Sequence, residues 1–390
     1  MQKYSLLSTN IDIKGKAYEE IVGANLRGDR GEFFTPRNVM NMVVKMVNPS
    51  VDERILDSSC GTGGFLVNAL THVIAKVEKD YSKQIGVPKE QWSSDELRVF
   101  RERISEVAAN NYFGFDINPD LVKATKMNMV MNNDGSGNIL CTNSLLHPHE
   151  WTEDFKTTLA AKIGVDKKQI RGPESINFFD IIVTNPPFGS KIPIKDGNIL
   201  SQYELAHIWD KTPSNHWVMT TKLQSSVPPE ILFIERCIQL LKENGRMGIV
   251  LPDSILGSPG LGYIREWLII NTRIIASIDL HEDTFQPRNG TQTSILILQK
   301  KTKEQKDIEQ KTGTYSDYQI FMAIIDKVGH DRRGNPLFKK DPYGNDILEE
   351  YEVLDSDGRL SHINKKIDDD QTYELPPLFE KWKIQEGISW

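Results

Sequence analysis

Two short stretches of the chain carry residue types that could do chemistry. The first, Asp57-Ser58-Ser59-Cys60-Gly61-Thr62-Gly63-Gly64-Phe65, joins a short apolar run to a helical pattern. Its glycines let the backbone turn tightly and approach a ligand, and the helix that follows offers N–H groups with no intrahelical partner. The second, Asn185-Pro186-Pro187-Phe188, ends the apolar run Ile181-Ile182-Val183. Adjacent prolines donate no backbone hydrogen bond and belong at the end of a strand, not inside it. A side-chain amide, a stiff backbone and an aromatic ring expected to be exposed therefore stand together. They make either a rigid turn or a platform for a flat, polar ligand.

Strand, glycine turn, then helix is the layout of a nucleotide-cofactor site at the edge of a doubly wound sheet. A second strand ends in Asp116, placed to accept both hydroxyls of a ribose. A dinucleotide fits less well: the glycines do not follow G-x-G-x-x-G, and Asp116 lies much further on than the roughly 20 residues expected there. Asp57 discriminates further, because a carboxylate facing the loop repels a pyrophosphate and welcomes a cation. S-adenosyl-L-methionine carries an ammonium, a sulfonium and a carboxylate but no phosphate, so Asp57 favours it over NAD or ATP. The plainer reading is a turn that merely needs glycine. Cys60 reads as a small buried thiol, since no base sits near it in the sequence.

The chemistry that suits the second stretch is methylation of an exocyclic amine, a poor nucleophile whose lone pair is delocalised into its ring. The Asn185 side-chain oxygen and the Pro186 carbonyl can accept its hydrogens and stabilise the charge that develops on attack. Phe188 can stack on the base while Pro186 and Pro187 hold these groups still. A sulfonium donor is already activated, so alignment is most of the task, with no metal or covalent intermediate required. A base inside a duplex would first be flipped out at a cost of a few kcal/mol.

The elements that must position these residues follow from periodicity. Ala17, Tyr18, Ile21, Val22 and Leu26 predict a helix over 11–30, and Thr35 (N-cap) and Pro36 open another that Asn48-Pro49 ends. Strands are expected at 54–57, 112–116, 139–141, 179–184, 246–251, 273–280 and 290–298, alternating with helices at 65–78, 96–110, from Leu121 to Val130, 229–243 and 261–271. Residues 80–95 read as a polar loop and 189–228 as a long irregular insertion. This alternation predicts an α/β fold with a doubly wound, mostly parallel sheet and a closing hairpin. The charged run 301–319 reads as a linker or surface helix, 320–326 as a strand, 329–336 as a turn whose Arg332 and Arg333 are either phosphate contacts or, as is commoner for lone turn arginines, plain surface residues, and the remainder as an acidic tail. No internal repeat is apparent. The expected division is a helical segment over 1–30, a catalytic domain over 31–300 and a charged extension over 301–390.

With 390 residues, 38% hydrophobic and 26% charged, the chain reads as an ordinary soluble globular protein. No apolar segment is long enough to cross a bilayer, and the first ten residues lack a signal peptide's order. Cys60, Cys141 and Cys237 are odd in number and in no metal-ligand pattern, which favours reduced thiols in a cytoplasmic protein. A net charge of −7 suggests that any grip on nucleic acid is shared with a partner.

The order of three blocks now matters: Gly31-Glu32-Phe33-Phe34-Thr35-Pro36, then Asp57 through Phe65, then Asn185–Phe188. Together with 240–252, 290–298 and 322–334, they make the chain resemble the modification (M) subunit of type I restriction-modification systems, a DNA adenine-N6 methyltransferase. The likeness covers roughly residues 12–335. It implies a Rossmann-like fold with S-adenosyl-L-methionine as cofactor. Thr35 and Pro36 would border the methionine end, Asp57, Gly61 and Gly63 would form the floor, Asp116 would hold the ribose, and Asn185–Phe188 would bind the target adenine. The full set of cofactor candidates is Phe34, Thr35, Pro36, Asp57, Cys60, Gly61, Thr62, Gly63, Gly64, Phe65, Asp116, Asn143 and Ser144. Asn143 stands where the family often has an acidic residue against the cofactor's adenine amino group.

The resemblance also implies partners: DNA, a separate specificity (S) subunit with two M copies clamped around the DNA, and a restriction (R) subunit. The segment after 300 would then be a docking element. Family members carry a substantial helical region before the position of Gly31, so a truncated or divergent chain is expected here. Three other readings stay open at this point: an N-methyltransferase acting on RNA or on a protein glutamine, a self-contained enzyme with its own recognition domain, against which the length argues, and a cofactor-binding subunit without catalysis.

Overall fold

The computed structural model describes residues 34–132, 135–189, 192–287, 290–354 and 360–390. The helix expected over 11–30, and with it Gly31, Glu32 and Phe33, lies outside the described residues.

The first described helix, α1 (Arg37–Val47), turns Val39, Met40, Val43, Val44 and Val47 into the core. It begins one residue later than expected. Pro36 is its cap and, as a proline, has no side-chain acceptor to offer, while the Thr35 hydroxyl is engaged elsewhere, as described below. The chain then alternates through β1 (Ile55–Asp57), α2 (Gly64–Ile85), α3 (Ser94–Asn111), β2 (Tyr112–Asp116), α4 (Pro119–Met131), β3 (Ile139–Cys141), α5 (Glu153–Ile163) and β4 (Phe179–Thr184). α2 continues well past 78 into the expected polar loop. The apolar residues of its last turns make a small cluster of their own: Tyr81 meets Trp92 edge-on at 5.0 Å, and Trp92 meets Phe100 of α3 at 5.1 Å.

The insertion over 189–228 is less irregular than its composition suggests. It holds a short helix, α6 (Gly197–Leu200), and an antiparallel hairpin, β5 (His207–Lys211) with β6 (Trp217–Leu223). The later elements are α7 (Pro229–Leu240), β7 (Leu241–Pro252), α8 (Asp253–Gly257), α9 (Gly262–Asn271), β8 (Thr272–Asp279), β9 (Thr293–Lys300), α10 (Lys303–Thr312) and β10 (Phe321–Ile324). Trp209 stacks on Tyr263 of α9 at 5.9 Å and so seats the hairpin on the domain.

One eight-stranded sheet carries the domain, in the order β10-β8-β9-β7-β4-β1-β2-β3. β9 alone runs antiparallel to its neighbours, pairing with β7 and β8, as expected of a closing hairpin. Side chains alternate across the pleat: Leu56, Phe113, Phe115 and Ile182 enter the core on one face, and Ile55, Tyr112, Ile181 and Val183 the core on the other. The strand order reverses between β1 and β4, and a crevice opens beyond the carboxyl ends of strands at such a switch point. α1 lies close over β7, where a Cβ at Gly248 would overlap Val43. Arg246 of β7 holds the turn after α1, donating to the Val47 and Asn48 carbonyls and to Glu53.

The expected boundary at 300 needs correction, because the sheet takes its eighth strand, β10, from beyond it. The supposed tail contains a second hairpin, β11 (Leu348–Leu354) with β12 (Leu360–Lys366), and a last helix, α11 (Leu375–Gln385). Phe379 of α11 is buried against Phe321, and Trp390 Nε1 donates to the Met46 carbonyl of α1. These few apolar anchors, widely spaced among charges, integrate the segment while its average composition reads as a tail.

Candidate active site

A cleft of about 600 Å³ opens at the switch point. β1 delivers Asp57 to its floor and β4 delivers Asn185, so the two stretches that sequence reading singled out meet in one place. Of the expected residues, Phe34, Thr35, Pro36, Asp57, Cys60, Gly61, Thr62, Gly64, Phe65 and Asn185 line it. Gly63, Asp116, Asn143, Ser144, Pro186, Pro187 and Phe188 do not.

The glycine turn is built for close approach. Gly61 and Gly63 take φ of +53° and +82°, and a Cβ at Gly63 would run into Thr125 of α4. Thr125 and Asn128 secure the turn by donating to the Gly61 and Thr62 carbonyls at 2.6 and 2.9 Å. α2 starts at Gly64 without a side-chain cap, which leaves its first amides available to a ligand. Cys60 is buried, its thiol bonded to Thr125 and pushed well above the usual range by burial. That is the inert small thiol expected of it.

Asp57 is almost wholly buried, and no cation lies beside it among the described residues. Its Oδ1 accepts from the Thr184 hydroxyl at 2.7 Å and the Ser59 amide at 3.2 Å. Burial is the largest influence on the carboxyl and pushes it up to about 7, with a smaller push from Asp116. A cationic ligand group would relieve that penalty; a phosphate would add to it. The donor set therefore fits an ammonium-bearing cofactor.

Asp116 ends β2 as expected, and both of its oxygens serve the loop backbone: Oδ2 accepts from the Gly61 amide at 2.9 Å and Oδ1 from the Asn118 amide at 2.8 Å. It thus shapes the glycine turn from outside the cleft lining. Ile117 directly follows it and stands 64% exposed, an apolar surface at the mouth of β2 that sequence reading passed over. Asn143 uses its Oδ1 to accept from the Leu145 amide at 3.0 Å, and Ser144 donates to the Ser58 carbonyl at 2.7 Å. Ser144 is a brace for the loop rather than a lining group.

Asn185 is clamped from two sides. Its Nδ2 donates to Thr35 Oγ1 at 3.0 Å, and its backbone carbonyl accepts from Ser59 Oγ at 3.3 Å. Ser59 Oγ also bonds Thr184 Oγ1 at 2.8 Å. A short run of hydroxyls, Thr184 and Ser59, thereby connects the Asp57 carboxylate to the Asn185 backbone. Phe188 departs from expectation: it is buried, only 5% exposed, because an aromatic ring gains more by leaving water than by standing in it. The chain just beyond is pinned by Glu230, which accepts from the Gly189 amide at 3.3 Å.

Further lining comes from Arg37, Met40, Ser59, the segment Thr284–Pro287 between β8 and β9, and His330 and Gly334 of the turn after β10. Ser59 lies in the stretch that sequence reading singled out, and His330 and Gly334 in a block that carried the resemblance, but none of these residues was given a site role. Loops at the carboxyl ends of strands are where a doubly wound sheet places its ligands, so the loop after β8 was recoverable from topology. Nothing local marked Arg37 or Met40. Among the described residues no group of three or more acidic, histidine or cysteine side chains is arranged to hold a metal, and no helix is long and apolar enough to cross a membrane.

The N-6 DNA Methylase family model matches residues 9–321. The chain is 28% identical over 291 residues to the type I restriction enzyme EcoEI methylase subunit of Escherichia coli, covering 73% of this chain and 46% of that protein. It is 22% identical over 294 residues to the EcoKI methylase subunit of Escherichia coli (strain K12), covering 74% of this chain and 44% of that one. The chain thus spans a little under half the length of these curated relatives. A solved structure of the ATP-dependent Type ISP restriction-modification enzyme LlaBIII bound to DNA shares the fold, with a TM-score of 0.53 at 15% identity over 81% of this chain and 22% of that one.

Proposed function

The chain belongs to the N-6 DNA Methylase family, and from that premise we propose that it methylates adenine N6 in DNA as the modification subunit of a type I restriction-modification complex. S-adenosyl-L-methionine would supply an electrophilic methyl group already activated by its sulfonium. One observation carries the reading: the Thr184 hydroxyl at 2.7 Å from Asp57 brings the cofactor carboxylate and the Asn185 clamp to the same cleft.

Each residue then has a physical task. Asp57 receives the cofactor's ammonium, which offsets the cost of its buried charge. The glycine turn lets the backbone approach, Asp116 holds the turn and accepts from the ribose, and Ile117 offers an apolar face to the purine. Thr35 ties down Nδ2 of Asn185, so the amide addresses the target amine with its oxygen. That oxygen and the Pro186 carbonyl accept the two N–H groups, and they stabilise the positive charge that grows on nitrogen as it attacks. The prolines hold both acceptors, so little reorganisation is needed at the moment of reaction. A buried Phe188 reaches a flipped base only after its loop yields, which makes ring stacking part of substrate entry.

The type I relatives are methylase subunits, and the partners proposed here are a specificity subunit, which chooses the site, and a restriction subunit. Three free thiols accord with a reducing cytoplasm. The test is incubation with labelled S-adenosyl-L-methionine and DNA, RNA or protein, followed by mass analysis of the product. N6-methyladenine in DNA is expected; label confined to RNA or to protein glutamine would overturn the substrate. Asn185→Ala should lower kcat by roughly 100-fold or more, a loss on the order of one transition-state acceptor, while cofactor affinity stays within about twofold.

A further inference from the structure

Two turns late in the chain are built alike. Asp331-Arg332-Arg333-Gly334-Asn335 and, ten residues on, Asp341-Pro342-Tyr343-Gly344-Asn345 share the pattern Asp-x-x-Gly-Asn, a short repeat that sequence reading overlooked. In each, the aspartate Oδ1 accepts from the backbone amides of the third and fifth residues, and Oδ2 accepts from the asparagine Nδ2. The glycines take φ of +83° and +89°. The scaffolds match, but the tips do not. The first displays two arginines; the second displays a proline and Tyr343, which is 90% exposed.

Position separates them further. His330 and Gly334, on either side of the arginines, line the cleft, whereas no residue of the second turn does. A Cβ on Gly334 would meet Pro287 at 3.3 Å, so the turn abuts the loop that forms another part of the cleft wall. Asn38 of α1 donates to the Val328 carbonyl and to Asp370, which fixes the base of the turn against the domain.

Charge completes the contrast. Nearby Lys327, Lys339, Lys340 and Lys366 each pair with a carboxylate. Arg332 and Arg333 are exposed and, among the described residues, form no ion pair. Asp331 forms an ion pair with neither: Asn335 and the turn's amides occupy its carboxylate and hold it below the usual range, with a smaller pull from the charge of Arg333. In a chain of net charge −7, two exposed guanidinium groups without an ion pair therefore stand beside the cleft lining. Planar guanidinium groups match phosphate oxygens well, and arginine keeps its charge at any working pH.

We infer that the Asp331–Asn335 turn is a phosphate clamp, with Arg332 and Arg333 gripping the backbone of duplex DNA beside the extruded target base. This rests on the DNA reading proposed above and adds where the strand is held. Each phosphate neutralised adds roughly −0.9 to the slope of log K against log salt for duplex DNA. Two contacts should therefore account for about 2 units of slope.

The experiment measures fluorescence anisotropy of the full chain, saturated with S-adenosylhomocysteine, on a labelled duplex of about 20 base pairs containing a mismatched adenine, from about 50 to 200 mM salt. R332A/R333A is expected to flatten the slope by about 2 and to bind S-adenosylhomocysteine as the parent does. R332K/R333K should keep most of the slope, and Tyr343→Ala at the twin turn should leave it unchanged. An unchanged slope in R332A/R333A, or an equal loss in Tyr343→Ala, overturns the clamp while leaving the DNA reading standing. Failure of the parent to bind the duplex at the lowest salt overturns a clamp that grips DNA by itself, while the DNA reading still stands or falls on the methylated product.

Discussion

Replacing Asp57 by asparagine should make the ligand-free protein more stable and less able to bind its cofactor. Asp57 lies buried, with an ordinary value of 3.8 pushed up to about 7, mainly by burial. Because the folded-state value is the higher one, folding favours the protonated carboxyl. Its contribution is fully present below about pH 4 and is lost as pH climbs through 7. The gap of about 3 pH units corresponds to roughly 4 kcal/mol of destabilisation at pH 8 relative to pH 4. The substituted amide keeps an oxygen where Thr184 and the Ser59 amide donate, so the mutation removes the charge and little else. For a chain this long, about 4 kcal/mol is worth roughly 5 °C in melting temperature. Thermal melts of parent and Asp57→Asn from pH 4 to 9 should coincide at the acid end and diverge by about that amount at pH 8. Calorimetry supplies a second readout. If the cofactor's ammonium ionises Asp57, the parent should release about 0.9 proton on binding at pH 6 and Asp57→Asn none. Parallel melts across the range, together with no proton release by the parent, would refute both the buried-charge argument and the site assigned to the ammonium.

Two other substitutions test the frame around that carboxylate. Thr35→Val should lower kcat about fivefold with little change in cofactor KM, since one orienting hydrogen bond to Asn185 is worth about 1 kcal/mol, and Thr35→Ser should restore it; steady-state kinetics with unchanged kcat would remove Thr35 from that role. Asp116→Ala should weaken cofactor binding about 100-fold by titration and lower the melting temperature, because the amides of Gly61 and Asn118 lose their acceptor; affinity and stability both unchanged would move the ribose site elsewhere.

Much of the architecture was legible before any coordinates. The strands at 112–116, 139–141 and 179–184 stand where alternation and apolar runs put them, and the antiparallel closure by β9 follows from its turn and β-branched residues. Less legible were segments whose structure rests on a few well-spaced anchors. The end of α2 depends on Tyr81 meeting Trp92, the insertion on Trp209 meeting Tyr263, and the last helix on Phe379 meeting Phe321. Averaged composition around each anchor is polar, so window-based reading hides them. Thr35 looked like a helix cap because its type and position suit one; a partner 150 residues away claimed its hydroxyl instead.

From the amino-acid order alone came the local devices: a glycine turn after a strand, an acidic residue closing the next strand, and an amide followed by two prolines. These depend on backbone freedom, missing N–H donors and side-chain alternation, which are properties of neighbouring residues. Which devices face one another was decided by the order of strands in the sheet. That order places β1 beside β4, brings Thr184 to Asp57 across 127 positions, buries Phe188, and carries the arginine turn from beyond residue 325 to the cleft's edge. Such long-range pairings are selected by the burial of whole faces, and a local pattern contains no record of what will pack against it.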